Sequence, residues 1–146
     1  MGKWPRKTAR GCRRMFEIAD ANRSLVLVAR VVDDITAEYA RMTDLQESID
    51  AAQESGRYDR ARTARDELLE SVEQIQGFVR ELDAIGVDLA DWTLGVVHFP
   101  CVAGGREVSL CWQRGEAEVS FWHETDSDAE DRKPIETLVM TGAVAT

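Results

Sequence analysis

The chain has 146 residues, is 44% hydrophobic and 31% charged, and carries a formal net charge of −9. That length and balance exclude general disorder and suggest one domain with a modest core. The charge is unevenly placed: residues 1–15 hold six bases (Lys3, Arg6, Lys7, Arg10, Arg13, Arg14) and no acid, so the remainder, with 12 basic and 27 acidic residues, carries −15. A body this acidic repels phosphate backbones and anionic lipid, which argues against nucleic acid as a partner of the folded part and against a membrane surface.

The basic segment 1–15 is expected to lie outside the fold. One reading is an arm for nucleic acid or membrane; the preferred reading is an early start codon, with Met15 as the initiator. No uninterrupted apolar stretch of signal-peptide type follows it, because Arg30 breaks residues 25–32. No apolar run approaches the roughly 18 residues that a membrane span needs. The three cysteines, Cys12, Cys101 and Cys111, are odd in number and form no CxxC, which fits a reducing cytoplasm better than a disulfide framework.

From Leu25 the apolar residues Val28, Val32, Ile35, Tyr39, Met42, Leu45, Ile49 and Ala52 recur three or four apart, the mark of an amphipathic helix with a near-heptad, coiled-coil-like stripe. Val26, Leu27 and Val31 add a second apolar side at its start, which the sheet or a second subunit is expected to cover. The turn signal Ser55-Gly56 ends this helix, predicted over about residues 18–55. A second helix is predicted over about 59–85, with Asp59 as N-cap and the stripe Ala61, Ala64, Leu68, Val72, Ile75, Val79, Leu82, Ile85. Gly86 suits the residue just past its end, with Val87 placed for the accompanying apolar contact. So short a connection makes the two helices antiparallel.

After Gly86 the period becomes two. Residues 96–99, 107–112 and 118–123 read as strands, 87–89 as a short fourth, with turns at Ala103-Gly104-Gly105 and Arg114-Gly115. Residues 125–131 read as an acidic loop and 136–146 as a patternless C-terminal tail. The predicted fold is therefore α+β: a single domain over 16–135, with a long antiparallel helical hairpin followed by a three- to four-stranded antiparallel sheet over about 87–123.

With Arg114-Gly115 as a tight turn, Leu110 faces Val119 and Val108 faces both Phe121 and Phe99, while Val97 faces Leu110 and Gly95 leaves room for Trp112. One sheet face then holds Val97, Phe99, Val108, Leu110, Trp112, Val119, Phe121 and His123, packed on the helices. The other holds Val96, His98, Ser109, Cys111, Glu118, Ser120 and Trp122 and is the most site-like surface of the chain. A one-residue slip exchanges the two sets.

On that mixed face, His98, Ser109 and Ser120 share a row, and Cys111 neighbours Glu118. A hydrolase reading is set aside, because a strand serine without a sharp turn or an oxyanion hole is normally only a strand serine. His98, Cys101, Cys111 and His123 are residue types that ligate metals. This register sends His123 to the face opposite Cys111, however, and favours a buried thiol with ordinary polar histidines. Trp92, Trp112 and Trp122 are read as core before stacking platforms. Gly104-Gly105 lacks the pattern of a phosphate loop, and no cofactor is expected.

With these elements placed, the chain resembles a bacterial family of small proteins catalogued as domain of unknown function 2203. The resemblance spans residues 16–135 and rests on Phe16 with Asp20-Ala21-Asn22, on Ile85-Gly86-Val87, and above all on the sheet: Gly95-Val96-Val97-His98-Phe99-Pro100, Gly105-Arg106, Leu110-Cys111-Trp112, Gly115-Glu116, Trp122-His123, Arg132 and Pro134-Ile135. The chain departs from the pattern at His98, where the family usually has Asp, at Glu17, where it has a capping Thr, and at Val26, where Pro is common. The resemblance implies a fold and supports Met15 as the start, and it implies no activity. It does single out Arg106, Trp112, Glu116, Trp122, His123 and Arg132. A turn Arg and a turn Glu among them would pair, or would rim a site for a small anionic or amphipathic ligand.

Two functions from different classes follow as expectations. The first is a non-enzymatic interaction or structural module, a homodimer formed through the helical hairpin. The second is a small-molecule or metal site on the mixed sheet face, catalytic or not, drawn from His98, Arg106, Cys111, Glu116, Glu118, Trp122, His123 and Arg132. No motif decides whether the protein is an enzyme.

Overall fold

A computed structural model describes residues 15–125 and 131–140. The basic arm with Cys12, most of the acidic loop and the last six residues lie outside the described residues. Two helices, α1 (Ile18–Glu54) and α2 (Tyr58–Ile85), form the hairpin, about 55 and 42 Å long at 1.5 Å per residue. Asp20 accepts a hydrogen bond from the Glu17 N–H at the α1 N-terminus, 3.3 Å. Asp59 is not the cap of α2: Arg57 holds that position and Asp59 lies in the first turn, where its charge still complements the helix dipole. At the other end Gly86 adopts the left-handed conformation, φ 99°, and the N–H groups of Gly86 and Val87 close onto Asp83 and Leu82 carbonyls. Val87 and Leu82 are both buried, so the polar and apolar halves of the cap are present together.

The sheet is a five-stranded antiparallel meander, β1 (Asp88–Asp91), β2 (Val96–Ala103), β3 (Arg106–Gln113), β4 (Phe121–Glu124) and β5 (Lys133–Pro134), in sequence order. Gly104 and Gly105 connect β2 to β3, and both have positive φ, as a tight two-residue hairpin of this hand requires. Residues 136–140 do not belong to a patternless tail: α3 (Ile135–Met140) follows β5, and Leu138 is buried in the core. Leu138 lies beyond the acidic segment that follows β4, and a stripe of one residue carries no period to read.

One face of the sheet packs on the first half of α1 and the last half of α2. The shared core contains Leu25, Val28, Val32 and Ile35 from α1, Ile75, Val79 and Leu82 from α2, and Val97, Phe99, Leu110 and Trp112 from the sheet. Phe16 closes one end, edge-on to Phe99 at 5.2 Å, with its N–H on the Pro100 carbonyl. Asn22 of α1 accepts the Val119 N–H at 2.7 Å, and Asp33 pairs with Arg114. Gly95 sits at the closest approach: with φ 75°, an added Cβ would lie 2.8 Å from the Val32 side chain and 2.9 Å from that of Arg114. Its space thus serves Val32 and Arg114, not the Trp112 indole. Of the second apolar side of α1, Val31 is buried, while Val26 and Leu27 are exposed.

Candidate functional site

The pleat decides which side chains meet. In β2 and β3 the pairs are Val97↔Trp112, His98↔Cys111 and Phe99↔Leu110, shifted by two residues from the register expected; an even shift leaves each residue on its expected face. Between β3 and β4 the pairs are Ser109↔His123, Leu110↔Trp122 and Cys111↔Phe121. Here the shift is three, an odd number, and it exchanges the faces of β4.

The cause lies in residues 114–120. They do not form a two-residue hairpin. Glu116 folds back over the end of β3: its N–H donates to the Gln113 carbonyl, its carboxylate accepts the Gln113 N–H at 2.7 Å, and its carbonyl accepts the Trp112 indole N–H at 2.9 Å. With Val119 then held by Asn22, pairing resumes only at Phe121.

Several sequence expectations change as a result. Trp122 is not on the mixed face: it belongs to the core cluster, and its indole N–H donates to Thr137 of α3 at 2.9 Å. Glu118 is not a cross-strand neighbour of Cys111; it is exposed in the connection before β4, and Phe121 takes that place. Ser120 also precedes β4, so the expected row with His98 and Ser109 does not form. Cys101 lies on the core side, away from Cys111. Arg106 pairs with Glu124 at 2.9 Å, and Glu116 pairs with Arg132 at 2.6 Å, so the turn Arg and the turn Glu find other partners.

The same exchange brings His123 to Cys111. The metal-ligating atoms of His98, Cys111 and His123 all lie within 4.8 Å of one another. Cys111 and His123 are fully buried and His98 is half-buried, so the cluster reaches solvent past His98. The two Nε2 atoms are 3.1 Å apart and the rings meet edge to face, centroids 4.5 Å apart. His123 Nδ1 lies 2.7 Å from the Glu124 carbonyl. A carbonyl only accepts, so His123 Nδ1 carries a proton and donates to Glu124, while the contact between the two Nε2 atoms takes one proton from either ring.

Arg132 borders the cluster. Its guanidinium stacks 4.0 Å over the Phe121 ring, and Nη2 donates to Glu116 and, at 3.4 Å, to the Cys111 carbonyl. Arg132 Nε is buried with no hydrogen-bond partner among the described residues, an omission that ordinarily costs about 1–3 kcal/mol. Burial pushes the Cys111 thiol up from its ordinary pKa; the charge and hydrogen bond of Arg132 oppose this, while Glu116 adds to it.

The sequence offers His98, Cys111 and His123, with Cys101, as metal-ligating types, but the expected register parts His123 from Cys111 and the observed one brings them together. Phe121, expected on the core face, instead lies under the Arg132 guanidinium, and no spacing signal marks that contact.

A model of the family described as Uncharacterized conserved protein (DUF2203) matches residues 14–135, and the chain belongs to that family. No curated protein and no solved structure matches the chain. No helix among the described residues is long and apolar enough to cross a membrane.

Proposed function

We propose that this member of the DUF2203 family binds a borderline-soft divalent metal ion, of which zinc is the type, through His98, Cys111 and His123. The observation that carries this reading is the convergence of three ligand atoms of mixed N/S chemistry within 4.8 Å on three adjacent strands. The fit can be checked against coordination geometry. Zinc–nitrogen bonds of about 2.0–2.1 Å at a tetrahedral angle hold two ligating nitrogens roughly 3.3 Å apart. The imidazole pair stands at 3.1 Å. The bond from His123 Nδ1 to a backbone carbonyl is the kind of support that orients a ligating imidazole and fixes its tautomer. Imidazole and thiolate donors favour zinc and its neighbours over magnesium or calcium.

The test is a competition titration of the full chain with zinc against a chromophoric chelator, repeated with cobalt to look for a thiolate charge-transfer band. One equivalent is expected, with affinity falling about tenfold or more in each of His98→Ala, Cys111→Ser and His123→Ala. The cobalt thiolate band is expected to vanish in Cys111→Ser alone among them. Far-UV circular dichroism separates lost ligands from lost fold. If the wild-type chain holds metal no better than a folded triple variant, the reading is wrong.

Two free buried thiols among the described residues support a reducing cytoplasm as the location. A second reading, self-association through the hairpin, is favoured by Val26 and Leu27, which are 84% and 50% exposed side by side on α1. Sedimentation of the wild type and of Leu27→Glu tests it: a dimer that the substitution dissociates supports it, and a monomer at high micromolar concentration removes it.

A further inference from the structure

We infer that the metal site takes a small oxyanion as its remaining ligand, gripped by Arg132. This rests on the metal reading above and deepens it. Three side chains make up the cluster among the described residues. A zinc ion with three protein ligands keeps a position for an exogenous one, which distinguishes reactive sites from closed structural ones.

The chain provides a second grip beside that position. Arg132 hydrogen-bonds to Cys111 and contributes its positive charge there, so its guanidinium borders the cluster directly. Glu116 occupies Nη2, whereas the Nε–H is buried and meets no acceptor among the described residues. Phe121 lies beneath the guanidinium at 4.0 Å. The remaining N–H of the cation can donate one charge-assisted hydrogen bond to an oxygen of a carboxylate or phosphate. The ligand must be small, because Cys111 and His123 are fully buried and only His98 is partly open.

Glu116 decides how the two grips combine. Its carboxylate, 2.6 Å from Arg132, offsets the guanidinium charge, so the arginine alone attracts an anion weakly. The anion therefore binds with the metal and not before it.

The experiment uses the full chain loaded with cobalt, whose visible spectrum reports the inner coordination sphere. Sodium formate and inorganic phosphate are titrated separately at constant ionic strength. A saturable spectral change with either supports the inference; formate alone identifies a planar carboxylate, and phosphate alone a tetrahedral oxyanion. Arg132→Gln is expected to raise half-saturation about tenfold or more, the loss of one charge-assisted hydrogen bond, while cobalt affinity changes by less than about threefold. Glu116→Gln is expected to lower half-saturation, an effect that a merely structural ion pair does not produce. A cobalt spectrum indifferent to both anions overturns the inference, as does an Arg132→Gln protein that folds and responds like the wild type. Failure of the wild type to bind cobalt at all overturns the metal reading itself, so the two failures are distinguishable.

Discussion

Two buried cysteines stand on opposite faces of one small sheet, and burial raises the pKa of both thiols. Cys101 faces the helices, within the apolar cluster that includes Phe16 and Phe99, and the nearby Glu17 carboxylate pushes it further in the same direction. Cys111 faces outward, next to two imidazoles and a guanidinium, and Arg132 opposes the effect of its burial. Burial by itself makes an inert thiol. What gives the second cysteine prospects for chemistry is the company of groups that can share a cation or hold a charge.

The largest difference between the faces should appear in stability. Trp112 is almost completely buried on the helix side, and Trp112→Ala is expected to cost about 3–5 kcal/mol through lost burial and a cavity. It also leaves the Glu116 carbonyl without the indole donor. Cys111→Ser on the outer face removes no volume of that kind and is expected to cost about 1–2 kcal/mol in the metal-free protein. Urea denaturation of both variants measures this. Equal losses would mean that the outer face is core as well, and its polar groups mere exceptions within it.

The helices were legible in the sequence because their signal is repeated. The residues from Leu25 to Ala52 restate one period many times, and no single misreading moves the helix. The placement of His123 depended on one turn. Arg114-Gly115 looks like a two-residue hairpin, and the sequence does not show that Glu116 will bond to Gln113 and Trp112, or that Asn22, nearly a hundred positions earlier, will take the Val119 N–H. Those are tertiary bonds without a local pattern. They postponed β4 by three residues, and an odd offset is enough to exchange Trp122 for His123 on the site face. The β2–β3 register was also misjudged, but by two, and the faces survived. Parity, rather than distance along the chain, separated the harmless error from the consequential one.

An intermediate effect distinguishes the thiols by pH. Burial, with Glu17 adding to it, pushes Cys101 from 9.0 up to about 11. Below pH 9.0 the folded and unfolded chains both keep this proton, and the thiol gives stability no pH dependence. Between 9.0 and about 11 the unfolded chain has released it and the folded chain has not, so stability falls as pH rises. At 1.36 kcal/mol per pH unit the full loss approaches about 3 kcal/mol. Urea midpoints of wild type and Cys101→Ala at about pH 8 and about pH 10.5 should show the wild type losing about 2 kcal/mol more than the variant. Identical alkaline slopes would mean that Cys101 is wetter than its place among the helices implies.

The smallest effect concerns two arginines in ion pairs at different depths. Arg106 and Glu124 have side chains 60% and 32% exposed, whereas Arg132 and Glu116 are at 20% and 24%. Solvent screens the first pair, so Arg106→Ala is expected to change stability by less than about 1 kcal/mol, and salt near 1 M should erase even that. Arg132→Ala removes a partly buried guanidinium that bonds Glu116 and the Cys111 carbonyl, and among the described residues it leaves the Glu116 carboxylate the Gln113 N–H alone. Its cost is expected to exceed that of Arg106→Ala and to persist in high salt, because neither counterions nor water reach the remaining carboxylate freely. Thermal melts of the two variants at low and high salt make the measurement. Matching, salt-sensitive losses would place Arg132 in the same screened surroundings as Arg106 and remove the reason to regard its Nε, unpartnered among the described residues, as a grip held ready for a ligand.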